Sequence, residues 1–201
     1  MILFRYEGYW ASDSFEGKGT YSDYQGSTYN GEWKQNEMHG KGSYVDAQGN
    51  TYEGYFHKGK FQGLGQHICI NGDYYEGEFI FGKKHGYGVL KDIDGNIYSG
   101  EWNENIRCGY GTYQDVLGGI YKGQYRTDVR NGPGYYYWPD GKTDAVMCSN
   151  DVRCGNSIGW SRDRKQAWLM IDGEFQKHVT VDEGKMITEN LGLKVPKKPP
   201  P

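Results

Sequence analysis

A spacing of 23 residues organises this chain. The pattern Tyr-x-Gly-x-aromatic, then six residues, then Gly-x-Gly begins at Tyr6, Tyr29, Tyr52, Tyr75, Tyr98 and Tyr121, without one insertion between copies. Two residues beyond each Gly-x-Gly stands Tyr21, Tyr44, His67, Leu90, Tyr113 or Tyr136, and a further glycine recurs at Gly26, Gly49, Gly72, Gly95, Gly118 and Gly141. Tyr, Gly and the aromatic lie at i, i+2 and i+4, so on a strand they share one face. The second half of each copy alternates in the same way, and two such strands separated by a few residues form a hairpin. The recurrent third glycine follows turn formers such as Asp23-Tyr24-Gln25, where a left-handed residue closes a turn.

The same register explains an odd composition. Glycine makes up 32 of 201 residues, about 16 %, against a usual ~7 %. Leu, Ile, Val and Phe together number 34, too few for an ordinary aliphatic core. Aromatic residues at 16 % and a net charge of only −3 exclude a charge-swollen disordered chain. In-strand glycines weaken a sheet unless each leaves room for a neighbouring ring to lie across it. Glycine and tyrosine therefore read as two halves of one packing device.

The motif Tyr-x-Gly-x-Trp followed by Gly-x-Gly-x-Tyr at this spacing resembles the MORN repeat. Six full copies span Tyr6–Tyr136, and a degenerate seventh starts in register at Asp144, with Val146 and Cys148 in the glycine and aromatic places. The resemblance implies an all-β fold, an elongated, right-twisted, single-layer antiparallel sheet of stacked hairpins, and the residues beyond it predict a small C-terminal hairpin-plus-helix cap. The domains expected are an array over 1–159, a cap over 160–193 and a Pro/Lys-rich tail over 194–201.

In the cap, residues 166–171 and 174–179 flank Asp172-Gly173 and predict a hairpin. Thr180 and Glu183 predict a capping box, and Gly192 the end of the short helix. Val195-Pro196-Lys197-Lys198-Pro199-Pro200-Pro201 predicts a mobile polyproline-type tail. The stretch from Gly159-Trp160 through Trp168 and Asp172-Gly173 into this helix is similar to the cap of MORN proteins of cilia and flagella.

No nucleophile elbow, zinc-protease helix or nucleotide loop is present, and the expectation is no enzyme and no cofactor. His39 and His85 share a repeat position but stand two hairpins apart, about 19 Å at ~4.8 Å per strand, which excludes a shared zinc. Cys69, Cys108, Cys148 and Cys154 form no CxxC pair, so reduced thiols are expected. The acidic balance gives no reason to expect nucleic acid. No apolar run reaches bilayer length and the first five residues are too short for a signal peptide, so the expected location is the cytoplasm and cytoskeleton, with the cilium or flagellum axoneme implied by the resemblance.

A single-layer sheet leaves part of its aromatic face open, which predicts a protein partner lying along it as a helix or extended segment. The expected partner-binding residues are Trp10, Tyr29, Trp33, Tyr52, Phe56, Tyr75, Phe79, Tyr98, Trp102, Tyr121 and Tyr125. The reading is of a non-catalytic scaffold within a cytoskeletal or axonemal assembly. The alternative is a peripheral membrane adaptor binding acidic phospholipids; Lys83-Lys84 is the only adjacent basic pair in the array, so Arg162, Arg164, Lys165, Lys197 and Lys198 in the cap and tail are its candidate surface.

Overall fold

The computed structural model describes residues 4–197. Seventeen strands among them lie in an antiparallel sheet, followed by one helix. The chain divides into two compact units, one running to Ile93 and including Trp102–Asn105, the other comprising Asp94–Glu101 and the residues from Ile106 onward.

In the first unit, β1 (Phe4–Ala11), β2 (Ser14–Asp23), β3 (Thr28–Lys34), β4 (Glu37–Val45), β5 (Thr51–His57), β6 (Lys60–Ile68), β7 (Tyr74–Ile80) and β8 (Lys83–Lys91) each pair with the next along the chain. Strands contact chiefly their chain neighbours, so the unit is one layer thick. The glycine seats are as the spacing predicts. Gly31 faces Gly42 across the β3–β4 pair, and a methyl group on Gly42 would stand 2.5 Å from the Tyr29 ring. The tyrosine hydroxyl reaches past the glycines and donates to the Glu32 carbonyl at 2.9 Å.

The sequence leaves the short link inside each hairpin unspecified, and the structure resolves it. Gln35 and Asn36 both take positive φ, 51° and 66°, the mirror-image turn whose twist matches that of paired strands. The strain of left-handed non-glycine residues is offset by contacts to the preceding repeat. The Asn36 backbone N–H donates to the Phe15 carbonyl at 3.2 Å, and its side-chain oxygen accepts from the Phe15 N–H at 2.7 Å. Gly49, at φ 93°, closes the other connection by donating to the Asp46 carbonyl.

The second unit includes 97–101 of β9 (Ile97–Asn103) and continues with β10 (Ile106–Gln114), β11 (Ile120–Arg126), β12 (Val129–Tyr137) and β13 (Thr143–Ser149), then β14 (Val152–Arg153), β15 (Asn156–Trp160), β16 (Ala167–Ile171) and β17 (Glu174–Val179). The degenerate seventh copy keeps its place: Tyr136 faces Asp144, Gly134 faces Val146 and Gly132 faces Cys148. A ring at 144 would need glycine seats at 146 and 157, where the chain has Val146 and Ser157. The buried Asp144 carboxylate instead accepts from the Trp138 indole N–H at 2.8 Å and pairs with Arg153 at 2.9 Å.

The hairpin over β16 and β17 turns at Asp172-Gly173, φ 51° and 88°. The helix α1 (Val181–Asn190) carries the expected capping box: the Glu183 N–H donates to Thr180 Oγ1 at 3.2 Å and the Thr180 N–H to Glu183 Oε2 at 2.8 Å. It lies on Ile158, Trp160 and Ala167, an aliphatic–indole core that the array lacks. Gly184 permits that approach, since a methyl there would come within 3.0 Å of both Ala167 and Trp160. The start of the tail departs from the expected mobility. Pro196 is buried, and the Tyr135 hydroxyl donates to the Lys194 carbonyl. Arg164 donates to the carbonyls of Pro196 at 3.3 Å and Lys197 at 3.1 Å. A polyproline-type segment has no internal hydrogen bonds, so side-chain donors can capture its carbonyls. Lys198 and Pro199–Pro201 lie outside the described residues.

Candidate functional site

The face that carries the repeat tyrosines is built in two tiers. The lower tier contains the residues expected to touch a partner. Tyr29, Trp33, Tyr52, Phe56, Tyr75, Phe79, Tyr98, Trp102, Tyr121 and Tyr125 are all buried, none more than 7 % exposed, and only Trp10 stays half exposed at 50 %. The reason is neighbour packing. Each repeat's second aromatic meets the tyrosine of the preceding repeat edge-on, as Phe56 meets Tyr29 at 4.9 Å and Phe79 meets Tyr52 at 5.2 Å. In the second unit Tyr125 meets Tyr98 at 5.1 Å. The indole N–H groups of Trp33 and Trp102 donate inward to the carbonyls of Gly19 and Gly88. The expected open groove along these rings is therefore filled by the rings themselves.

The upper tier comes from a position the motif does not name, nine residues after each tyrosine: Phe15, Met38, Phe61, Lys84, Arg107 and Arg130. In the first unit Phe15 stacks on Tyr6 at 3.8 Å and Phe61 on Tyr52 at 3.7 Å, while the Lys84 ammonium lies 5.0 Å from the Tyr75 ring. In the second unit the guanidinium of Arg107 lies 5.4 Å from Tyr98 and that of Arg130 lies 5.5 Å from Tyr121. The 23-residue register contained this column, but its residue type changes from apolar to cationic along the chain. What the positions share is a group able to cover a π face, since both rings and cations satisfy it.

Half-buried Tyr21, Met38, Tyr44, Phe61, His67 and Leu90 thus form the outer surface of this face in the first unit. Burial, then the Lys84 ammonium, hold the His67 imidazole below its ordinary pKa, favouring a neutral ring on this surface. In the second unit the outer surface is a groove of about 410 Å³ between Tyr113, Tyr136 and the arginines. There Asp128 accepts from Arg107 Nε at 3.2 Å and Asp151 from Arg130 Nε at 3.0 Å. The lower-tier tyrosines are poor proton donors: burial pushes Tyr52 up to about 12 and raises Tyr29, Tyr75, Tyr98 and Tyr121 further. Among the described residues no group of three or more His, Cys, Asp or Glu side chains is arranged to hold a metal ion. The four cysteines are free, and no described helix is long and apolar enough to cross a membrane.

The family model described as MORN repeat matches residues 6–28, 29–51, 52–74, 75–97, 98–116 and 121–143, more than half of the chain. No curated protein matches the sequence at a significant level. Among solved structures, the chain is similar to the TCP domain of SAS-4 (dCPAP) of Drosophila melanogaster, determined in complex with a proline-rich motif of Ana2 (dSTIL), at 12 % identity over 70 % of this chain and 85 % of that one, with a TM-score of 0.41. It is also similar to the TCP10 domain of Danio rerio CPAP in complex with a peptide of Danio rerio STIL, at 14 % identity over 82 % and 84 % of the two chains, with a TM-score of 0.29.

Proposed function

The chain belongs to the MORN repeat family, and on that premise we propose that it is a non-catalytic scaffold holding protein partners on the tyrosine-bearing face of its sheet. The observation that carries this reading is the upper tier of the first unit. Tyr21, Met38, Tyr44, Phe61 and His67 remain half exposed above a core of buried rings, on strands that contact chiefly their chain neighbours. Contiguous apolar surface of this kind is where a partner gains most by excluding water. Of the eleven aromatic residues expected to bind, ten shape and stiffen the surface from beneath, and Trp10 contributes its own exposed indole. In this reading residues 1–159 serve as the array, 160–193 as its cap, and 194–201 as the tail.

We assign the scaffold to a cytoskeletal assembly, the axoneme of a cilium or flagellum. The support is the resemblance of the stretch from Gly159 into α1 to caps of ciliary MORN proteins. The test is fractionation of the intact chain between detergent-insoluble axonemes and vesicles containing acidic phospholipids, with Met38→Ser/Tyr44→Ser as the surface variant. Retention in the axonemal fraction, lost in the variant while circular dichroism is unchanged, is expected. Flotation with vesicles and absence from axonemes at low salt would sink the reading.

A further inference from the structure

On the opposite face of the second unit, away from the tyrosine tier, lies a groove of about 770 Å³, within the ~300–1,000 Å³ typical of ligand clefts. Its floor is the back of β11 and β12. Ile120 faces Tyr137 and Lys122 faces Tyr135 across that strand pair, and the Tyr135 and Tyr137 rings are 5.9 Å apart. One wall is the segment Lys194–Lys197, held by the Tyr135 hydroxyl and by Arg164. The other is formed by Trp138, Pro139 and Gly141, with the Arg162 side chain beside Gly141.

The charges around this aromatic floor are all of one sign. Lys122, Arg162, Lys194 and Lys197 line the groove, and among the described residues no carboxylate lines it. None of the four makes an ion pair among the described residues. Lys122 instead lies over the Tyr137 ring at 5.6 Å. Four unneutralised cations on a chain of net charge −3 repel one another, and an anionic occupant relieves that repulsion.

We infer that this groove binds an extended acidic peptide segment carrying apolar side chains, a partner site separate from the tyrosine-bearing face. The apolar floor requires more than a small anion. The floor is also sunk between two walls, so a flat membrane surface would meet the rim cations and leave the rings uncovered. An extended chain fills both: its acidic side chains pair with the rim while its apolar ones lie on Tyr135, Tyr137 and Ile120.

The test uses the intact chain and a synthetic probe, acetyl-Asp-Glu-Leu-Asp-Phe-Glu-Leu-Asp-Glu-amide. Titration followed by NMR is expected to shift Ile120 and the Tyr137 ring, with affinity falling as salt rises. The same peptide with its acids replaced by Asn and Gln, added to the unaltered protein, is expected to bind about tenfold more weakly. Lys122→Glu/Lys197→Glu, which reverses two exposed side chains, is expected to lose a similar factor. Equal affinity for the acidic and amide peptides, or shifts confined to other residues, overturns the inference. So does recruitment of the intact chain, but not of the charge-reversed variant, to phosphatidylserine vesicles while the peptide leaves Ile120 unshifted; that result would make the membrane the occupant.

Discussion

The ring of Phe61 lies flat on the ring of Tyr52, with centroids 3.7 Å apart and planes 5° from parallel. One repeat later the same place over Tyr75 holds the Lys84 ammonium. The position nine residues after Tyr52 and Tyr75 therefore covers a π face, by dispersion in one repeat and by charge in the next. Phe61→Ala removes a half-buried ring and is expected to cost about 2 kcal/mol. Phe61→Lys, which reproduces the next repeat, should cost less than half of that, and Phe61→Asp more than either. Urea unfolding monitored by circular dichroism ranks the three variants; a lysine variant no better than the aspartate one would refute the shared role.

The paired glycines are seats whose space is already occupied. Gly42→Ala puts a methyl group 2.5 Å from the Tyr29 ring, and overpacking of this kind is expected to cost about 3 kcal/mol. Gly59, in a hairpin turn at φ 72°, has open space around it, and the corresponding residue two hairpin strands earlier is Asn36. Gly59→Asn should therefore cost less than about 1 kcal/mol, because Asn tolerates the left-handed region. Thermal melts of the two variants separate a steric requirement from a conformational one.

In the seventh copy the tyrosine–cation pair becomes an acid–cation pair: Asp144 takes the tyrosine's place and Arg153 stands nine residues on, 2.9 Å away. Burial raises the Asp144 pKa, while the Trp138 indole and then Arg153 oppose that rise. Removing Arg153 leaves a buried carboxylate with one neutral donor, so Arg153→Ala is expected to destabilise the second unit by about 3 kcal/mol. The loss should shrink as pH falls and Asp144 takes up a proton. A stability deficit that is independent of pH between 4 and 7 would show that the guanidinium acts by packing alone.

The repeat tyrosines make the fold sensitive to alkali. Tyr52 and Tyr125 are each pushed up to about 12, chiefly by burial, whereas an unfolded tyrosine ionises near ~10. A raised folded value means that the stabilisation is complete below about 10 and is lost as pH climbs towards the folded value. Absorbance at 295 nm should therefore show Tyr52 and Tyr125 ionising only together with unfolding, close to pH 12. Ionisation of Tyr52 and Tyr125 by pH 11 with the sheet intact would contradict their burial.

Much of this architecture is legible in the chain because the repeat's packing is nearly local. A ring at Tyr29 meets seats two and thirteen residues away, and the 23-residue register displays both. Asp172-Gly173 and the Thr180/Glu183 pair are equally local signals, and both occur as the spacing predicts. The fate of the eleven aromatic residues was harder to read. Period-two alternation identifies the face they share, but not whether a neighbour covers them. That depends on reach between repeats, as when Phe56 closes over Tyr29.

By itself the sequence determined the strands, the glycine seats, the glycine-closed turns between hairpins and the helix cap, since each rests on spacing within one or two repeats. Only the tertiary structure decided which groups face outward. It placed the Phe61 column over the motif tyrosines, turned ten of the eleven expected binding rings into a core, and docked Lys194–Lys197 beside Tyr135 across 59 residues of chain. Contacts at that separation leave no period in the sequence, because they depend on where folded surfaces meet rather than on how the chain alternates.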